Sequence, residues 1–254
     1  STWNDDTSFM RYYGAYGDLE LYKNMKTTNW QREIFGRTGF TQNYNASITG
    51  GSEKVKYNIG LTHMDDESIM IGSGFMRNNL NAKINGQIAK GLTFDLTARY
   101  SYTSVIGAGT STEGGSSVAR LKHAVRYMPT AGISEMLPEG DDYLEEMLVS
   151  NSAEFLNPVD MTNDEYKKSV RQRQTYNAAL NWEIIKGLTF RSEWGIELYD
   201  EKNDTFYGLA TSNARKNNLA PLAMKEKKDS YQWRIANTMT YANTFAEKHD
   251  LTVM

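Results

Sequence analysis

The chain has 254 residues and a formal net charge of −3; 39% of it is hydrophobic and 12% aromatic, with sixteen tyrosines and five tryptophans. This balance of charge leaves no electrostatic footprint for nucleic acid, and the absence of cysteine excludes disulfides and thiolate metal sites. No run approaches the ~20 apolar residues of a membrane helix, which leaves transmembrane strands open because they hide half their residues from a hydropathy window.

In chain order, the first predicted element is a short helix in "TTNWQREIF", capped by Thr28 or Asn29. From there the dominant signal is period two, the signature of strands. Tyr44, Ala46 and Ile48 alternate with Asn45, Ser47 and Thr49; Val55, Tyr57, Ile59 and Leu61 alternate with Lys56, Asn58, Gly60 and Thr62. The pattern returns at Leu80–Ile88, Leu92–Tyr102, Tyr176–Ile184, Leu188–Leu198 and Trp233–Tyr241, and an eighth segment begins with Leu251 and Val253.

Connections alternate as well. "GGSEK", "AKGLT", "IKGLT" and "AEKHDLT" are short, whereas residues 65–74, 105–168 and 208–228 are longer, and "KGLTF" occurs twice. The unit is therefore a repeated hairpin, with tight glycine turns at one end of the sheet and long loops at the other. Within the longest connection, "SSVARLKHAVRYMPT" predicts a helix with Val118, Leu121, Ala124, Val125 and Met128 on one face, and "DDYLEEMLVS" a second short one. Both chain ends read as cut, so a piece of a longer polypeptide is expected.

The apolar face needs a partner. In a soluble sandwich it would be a second sheet. Three features favour lipid. The alternations run about ten residues or more, enough for a tilted strand to cross a bilayer. The opposite face is polar throughout, and turns and loops segregate to opposite ends, as in outer-membrane barrels. Tyr102, Phe94, Phe190, Tyr176 and Tyr241 fall toward strand ends, as interfacial aromatics do. Asn237 is the one amide in an apolar row, and a bulge or register shift could turn it away. Three architectures stay open: a fragment of a wide barrel, a small self-contained barrel of eight strands with a structural or adhesive role, and a soluble sandwich serving as a binding module.

Catalytic chemistry finds no support. His63, His123 and His249 are far apart, the acidic turn Asp65–Glu67 and the run Asp141–Glu146 read as solvated loops, and no nucleophile–base pairing or phosphate loop occurs. No cofactor or metal is expected. The loop aromatics Tyr143, Phe155, Phe206 and Tyr207 are candidates for stacking on cargo, and Asp95, Arg99, Arg191 and Glu193 for polar contacts on the wet face.

"TNWQREIF" followed by "QNYNASITGGSEKVKYNIGLTHMDDESIMIGSGFMRNNLNAKI" resembles the start of the barrel in SusC/RagA-type TonB-linked outer membrane proteins. The resemblance rests on Trp30, Gln31, Glu33 and Phe35, on Gln42–Asn45, Gly50–Ser52, Lys54 and Tyr57, and on Gly74, Phe75, Arg77 and Asn78. It implies about eight strands of an all-β, antiparallel, 22-stranded transmembrane barrel. Residues 1–37 would form an extracellular loop with a short helix, residues 38–254 barrel wall with a long loop at 105–168, and the plug would lie upstream. It further implies import of oligosaccharides or peptides across the outer membrane, with a SusD-like surface lipoprotein as partner and TonB acting through the plug.

Overall fold

The computed structural model describes residues 27–107, 115–127, 129, 156–245 and 249–254. The alternating segments form eight strands: β1 (Thr41–Gly51), β2 (Val55–Glu67), β3 (Gly74–Ala89), β4 (Leu92–Ile106), β5 (Glu165–Ile185), β6 (Leu188–Tyr207), β7 (Leu222–Phe245) and β8 (His249–Val253). They make one antiparallel sheet in chain order. β1 and β8 are its two edges, so the eight strands do not close into a small barrel of their own. From β2 to β7 the strands run 13 to 24 residues, against ~5–6 in ordinary sheets.

The repeated "KGLTF" produces a repeated turn. Gly91 and Gly187 sit at φ +78° and +87°, a region that side chains enter at a cost. Just before each, the pairing slips by one residue, between Gln87 and Ala89 and between Glu183 and Ile185. The bulge residues are Ile88 and Ile184, and such insertions sharpen strand twist. Three of the short turns are also bonded to the following hairpin. The N–H groups of Gln87, Glu183 and Ala242 donate to the carbonyls of Lys54, Gly91 and Gly187 at 2.7, 2.7 and 2.8 Å.

Strands extend further toward the long connections than the alternation predicts. Asp65, Asp66 and Glu67 belong to β2 rather than to a turn, and Thr41 Oγ1 donates to Asp66 Oδ1 at 2.6 Å. β7 begins at Leu222, inside the expected loop. These extensions are polar on both faces, so period two vanishes from the sequence while backbone pairing continues.

Among the described residues no second sheet covers the apolar face. Tyr57, Leu61, Leu96 and Trp194 are 38, 55, 43 and 41% exposed, which removes the sandwich. The buried apolar cluster lies instead in a cap at the long-connection end, built from α1 (Trp30–Phe35), α2 (Gly115–Arg126) and α3 (Pro158–Asn163). Asn29 caps α1 by accepting from Arg32 N–H at 3.0 Å. Ile34, Met70 and Ala124 are buried together, with Trp30, Phe35, Ile71 and Val159 around them. The apolar stripe expected on α2 is only partly its packing face: Ala124 is buried in this cluster, whereas Leu121 and Val125 are about half exposed and the polar Arg120 and His123 are buried. Charge decides the helix's roll: Arg120 Nη2 bonds Glu165 Oε2 at 2.8 Å, and Lys167 Nζ lies 2.7 Å from Glu165 Oε1. A buried carboxylate with two cations is satisfied, whereas one left alone would cost several kcal/mol.

Burial pushes the Glu165 carboxyl up, but its bonds to Lys167 and Arg120 and their charges outweigh this and hold it below the usual glutamate range. Burial, reinforced by Lys122 and Arg215, lowers His123, whose ring Nδ1 accepts from Leu156 N–H at 3.2 Å. Both groups bind protons more weakly folded than unfolded, so their stabilisation is complete at neutral pH and falls as pH drops, first below about 6.5 for the histidine. Amide exchange of α2 in the full-length protein should therefore quicken between about pH 6.5 and 5, and His123→Gln should flatten that response. A pH-independent exchange rate, corrected for intrinsic chemistry, would remove this account of the cap.

At the turns, a Cβ on Gly187 would stand 2.5 Å from the Ala242 carbonyl oxygen. Gly187→Val should destabilise the β6–β7 hairpin by about 1–3 kcal/mol from backbone strain alone. The check is yield of assembled protein, with Lys186→Ala, one residue away, as the tolerated control.

Candidate functional site

The pleat gives the sheet two chemically separate faces, and the candidate site is the pair of them. On the apolar face, register places Leu188, Phe190, Trp194, Ile196 and Leu198 of β6 opposite Tyr241, Met239, Ile235, Trp233 and Tyr231 of β7. The ten steps from Leu188 to Leu198 cover about 33 Å along the strand, and a tilt of ~40° projects this to about 25 Å, the height of a barrel's apolar band. Aromatics collect at both borders: Tyr57, Phe94, Trp182, Phe190 and Tyr241 toward the short turns, and Tyr44, Tyr100, Tyr176, Tyr231 and Trp233 toward the long connections.

Asn237 stays in this face without any register shift. It lies opposite Ser192, whose Oγ donates to Asn237 Oδ1 at 2.6 Å. Ser192, which the alternation had already placed in the apolar row, is the signal that accounts for Asn237. His63 belongs to the same face near its upper border, stacked on Tyr44 with ring centroids 6.1 Å apart and bonded through Nδ1 to Asn78 Oδ1 at 2.6 Å.

The polar face carries two charge networks. Near the short turns, Asp95, Arg191 and Glu193 come together as three of the four expected polar residues. Arg191 Nε donates to Glu193 Oε1 at 2.7 Å, its Nη1 lies 3.9 Å from Asp95 Oδ2, and Asn181 Nδ2 donates to Asp95 Oδ2 at 3.2 Å. Arg99 shares the face but pairs in register with Thr175, away from this group. Farther up, Glu201 accepts from Arg171 Nε at 2.9 Å and from the Tyr199 hydroxyl at 2.8 Å, and the Arg173 guanidinium lies over the Tyr199 ring, 5.3 Å from its centroid. Sequence reasoning missed this second group because polar residues on both faces there erase the alternation.

Between the networks lies a groove lined by Thr175, Asn177, Glu197, Gln232 and Arg234 with Gly195 as its floor. A Cβ on Gly195 would meet Arg234 and Asn177 at 3.1 Å, so the glycine lets both side chains lie across the strand. Of the candidate cargo aromatics, Phe206 and Tyr207 end β6 on opposite faces, and Tyr207 lies 5.1 Å from Lys167 Nζ on the polar side. Tyr143 and Phe155 lie outside the described residues, as does the helix expected in "DDYLEEMLVS". Among the described residues, no group of three or more His, Asp or Glu has the geometry to hold a metal.

No protein-family model matches the chain. It is similar to the TonB-dependent receptor P39 of Formosa agariphila, with 22% identity over 224 residues that cover 87% of this chain and 20% of that protein. Among solved structures it matches the RagAB peptide transporter with a TM-score of 0.62 and 14% identity, covering 97% of this chain and 27% of that one. The RagAB peptide importer in its open-open state gives 0.62 and 15%, covering 98% and 29%. The chain therefore spans about a fifth to under a third of the length of these relatives. At such identities the likeness speaks for the fold, and it agrees with the strand order, the two-faced sheet and the opening motifs. The chain shares the fold of a segment of these barrel proteins: eight antiparallel strands, consecutive in sequence, with one apolar and one polar face.

Proposed function

We propose that this segment is part of the wall of an outer-membrane, TonB-dependent transporter that imports large nutrients, oligosaccharides or peptides. The observation that carries the reading is the apolar band: about 25 Å tall, bordered by aromatics, and matched on the other side of the same strands by a charged, hydrogen-bonded face. The apolar face meets lipid and the polar face lines the lumen. The short turns then lie on the periplasmic side, and the cap with residues 1–37 on the extracellular side. A SusD-like surface lipoprotein covers the mouth, and TonB acts through a plug held inside the barrel. Similarity to a TonB-dependent receptor and to a peptide importer supports this reading over an enzymatic one. On the lumen side Tyr207 is the cargo-facing aromatic among the described candidates, with Arg234 and Gln232 in the groove below it.

Leu96→Arg or Ile59→Arg in the full-length protein should lower assembly into the outer membrane, since a cation near the midplane costs about 2–4 kcal/mol. Thr97→Arg, on the polar face, should assemble like the parent. Equal assembly of all three variants, measured by surface-accessible, heat-modifiable protein, would overturn the face assignment. Uptake of labelled peptides and labelled oligosaccharides should both be compared with and without TonB, and uptake independent of TonB for either cargo class would remove the transport reading.

The Ser192–Asn237 pair gives a second check on lipid exposure. In hydrocarbon, Ser192→Ala leaves an amide without its partner and should cost about 1–3 kcal/mol. Adding Asn237→Leu should recover most of that loss. A negligible effect of the single variant on unfolding in bilayers would indicate that water reaches this face.

A further inference from the structure

Above the apolar band, the outward positions of β6 and β7 change character in layers. Leu198 opposite Tyr231 is the last apolar row; next comes Asp200 opposite Asp229, then Lys202 opposite Lys227, then Asp204 opposite Lys225. Like charges directly opposite one another destabilise a sheet, and here two such rows are stacked. The signs alternate along the strands rather than across them. Lys227 Nζ lies 3.7 Å from Asp200 Oδ2 and 3.3 Å from Asp229 Oδ1, and Lys202 Nζ lies 4.0 Å from Asp200 Oδ1. The lower acidic row is thus held by the upper basic one. Both lysine side chains remain nearly 60% exposed, so each still has donors to offer outward. On β5 the flanking outward residues are Gln172, Val170 and Lys168, which add a cation and no carboxylate.

The height of these rows is fixed by the strand. Four residues from Leu198 to Lys202 raise the lysines roughly 10 Å above the last apolar row, at the outer edge of a headgroup layer some 5–7 Å thick. A lysine stem can reach down into that layer. Resting on the reading that the apolar face meets lipid, we propose that Lys202, Lys225 and Lys227 bind the phosphate of anionic lipid headgroups in the leaflet next to the long connections. The carboxylates beneath hold the ammonium groups at headgroup height and keep them from folding onto the sheet. The patch sets the vertical position of the β6–β7 hairpin, whose upper third projects beyond the membrane.

The experiment uses the full-length transporter in vesicles, with a fluorophore on a single cysteine introduced as Gln172→Cys, beside Asp200 in the outward row. Phosphatidylglycerol or phosphatidylcholine, each spin-labelled close to the headgroup, serves as quencher. The phosphatidylglycerol should quench on the order of threefold more effectively at low salt, a preference that weakens as potassium chloride is added. K202Q/K225Q/K227Q should bring the two lipids to parity. Equal quenching in the parent, or a preference that survives both salt and the triple variant, overturns the proposal. Should the triple variant not assemble, the salt series and K225Q alone, with a partial loss expected and no loss overturning, decide the matter. At matched ionic strength inorganic phosphate should displace the lipid no better than chloride; stronger displacement would mark a free-phosphate site and overturn the lipid assignment. The same fluorophore at Ile196→Cys separates the two readings. If lipid quenches neither position, the membrane reading has failed; if it quenches position 196 but shows no selectivity at 172, only the headgroup patch has failed.

Discussion

Every backbone N–H and C=O in this sheet must find its partner inside the protein. In hydrocarbon an unpaired group costs several kcal/mol, which restricts spanning structures to helices and closed barrels. The long, continuous ladders answer that constraint, interrupted only by the single-residue slips beside two short turns. Even there the N–H groups of Gln87 and Glu183, at the start of each slip, find acceptors in the carbonyls of Lys54 and Gly91. The free edges at β1 and β8, and the stretch of β7 before Tyr241 that β8 does not reach, carry the same requirement, and in a bilayer they need neighbouring strands.

Side chains follow from the same geometry. A pleated strand has no interior, so the sheet holds no apolar core and its greasy residues point at the surroundings. What would count as exposed hydrophobic surface in water becomes the anchoring surface in lipid. The polar face is stabilised differently, through pairs such as Arg171–Glu201 and Arg191–Glu193 that neutralise one another locally. Partly exposed pairs of this kind contribute little to stability individually, but they fix which donors that face presents. A compact protein core is confined to the cap, where burial of Arg120 against Glu165 sets the roll of α2.

Much of this was legible in the alternation. Apolar rows such as Val55–Leu61 and Leu188–Leu198 lie on one face as read, and "KGLTF" marked two equivalent turns. The reading stopped where both faces become polar. Residues 165–175, 199–207 and 222–230 pair for many more steps, yet Lys, Arg, Asp and Gln on both sides leave no periodic signal. The Glu201 group and the layered charges lie in those stretches. The packing side of helix α2 was read only in part: Ala124 packs inward as expected, but Leu121 and Val125 do not, because Arg120 is buried against Glu165, 45 residues away in sequence. Asn237 looked out of place until its cross-strand neighbour was known.

The stitched turns also constrain how such a wall can diverge. A one-residue insertion within a strand would invert every later side chain, sending charges into lipid and leucines into the lumen. At the short-turn end, loops of two or three residues, three of them bonded to the next hairpin, leave little slack to absorb it. Length variation is therefore tolerated almost solely at the opposite rim, in the long connections and the polar strand ends beneath them. A wall built this way can be remodelled along the rim of long connections while the register below stays frozen, so its shape changes by loop growth rather than by rebuilding the strands.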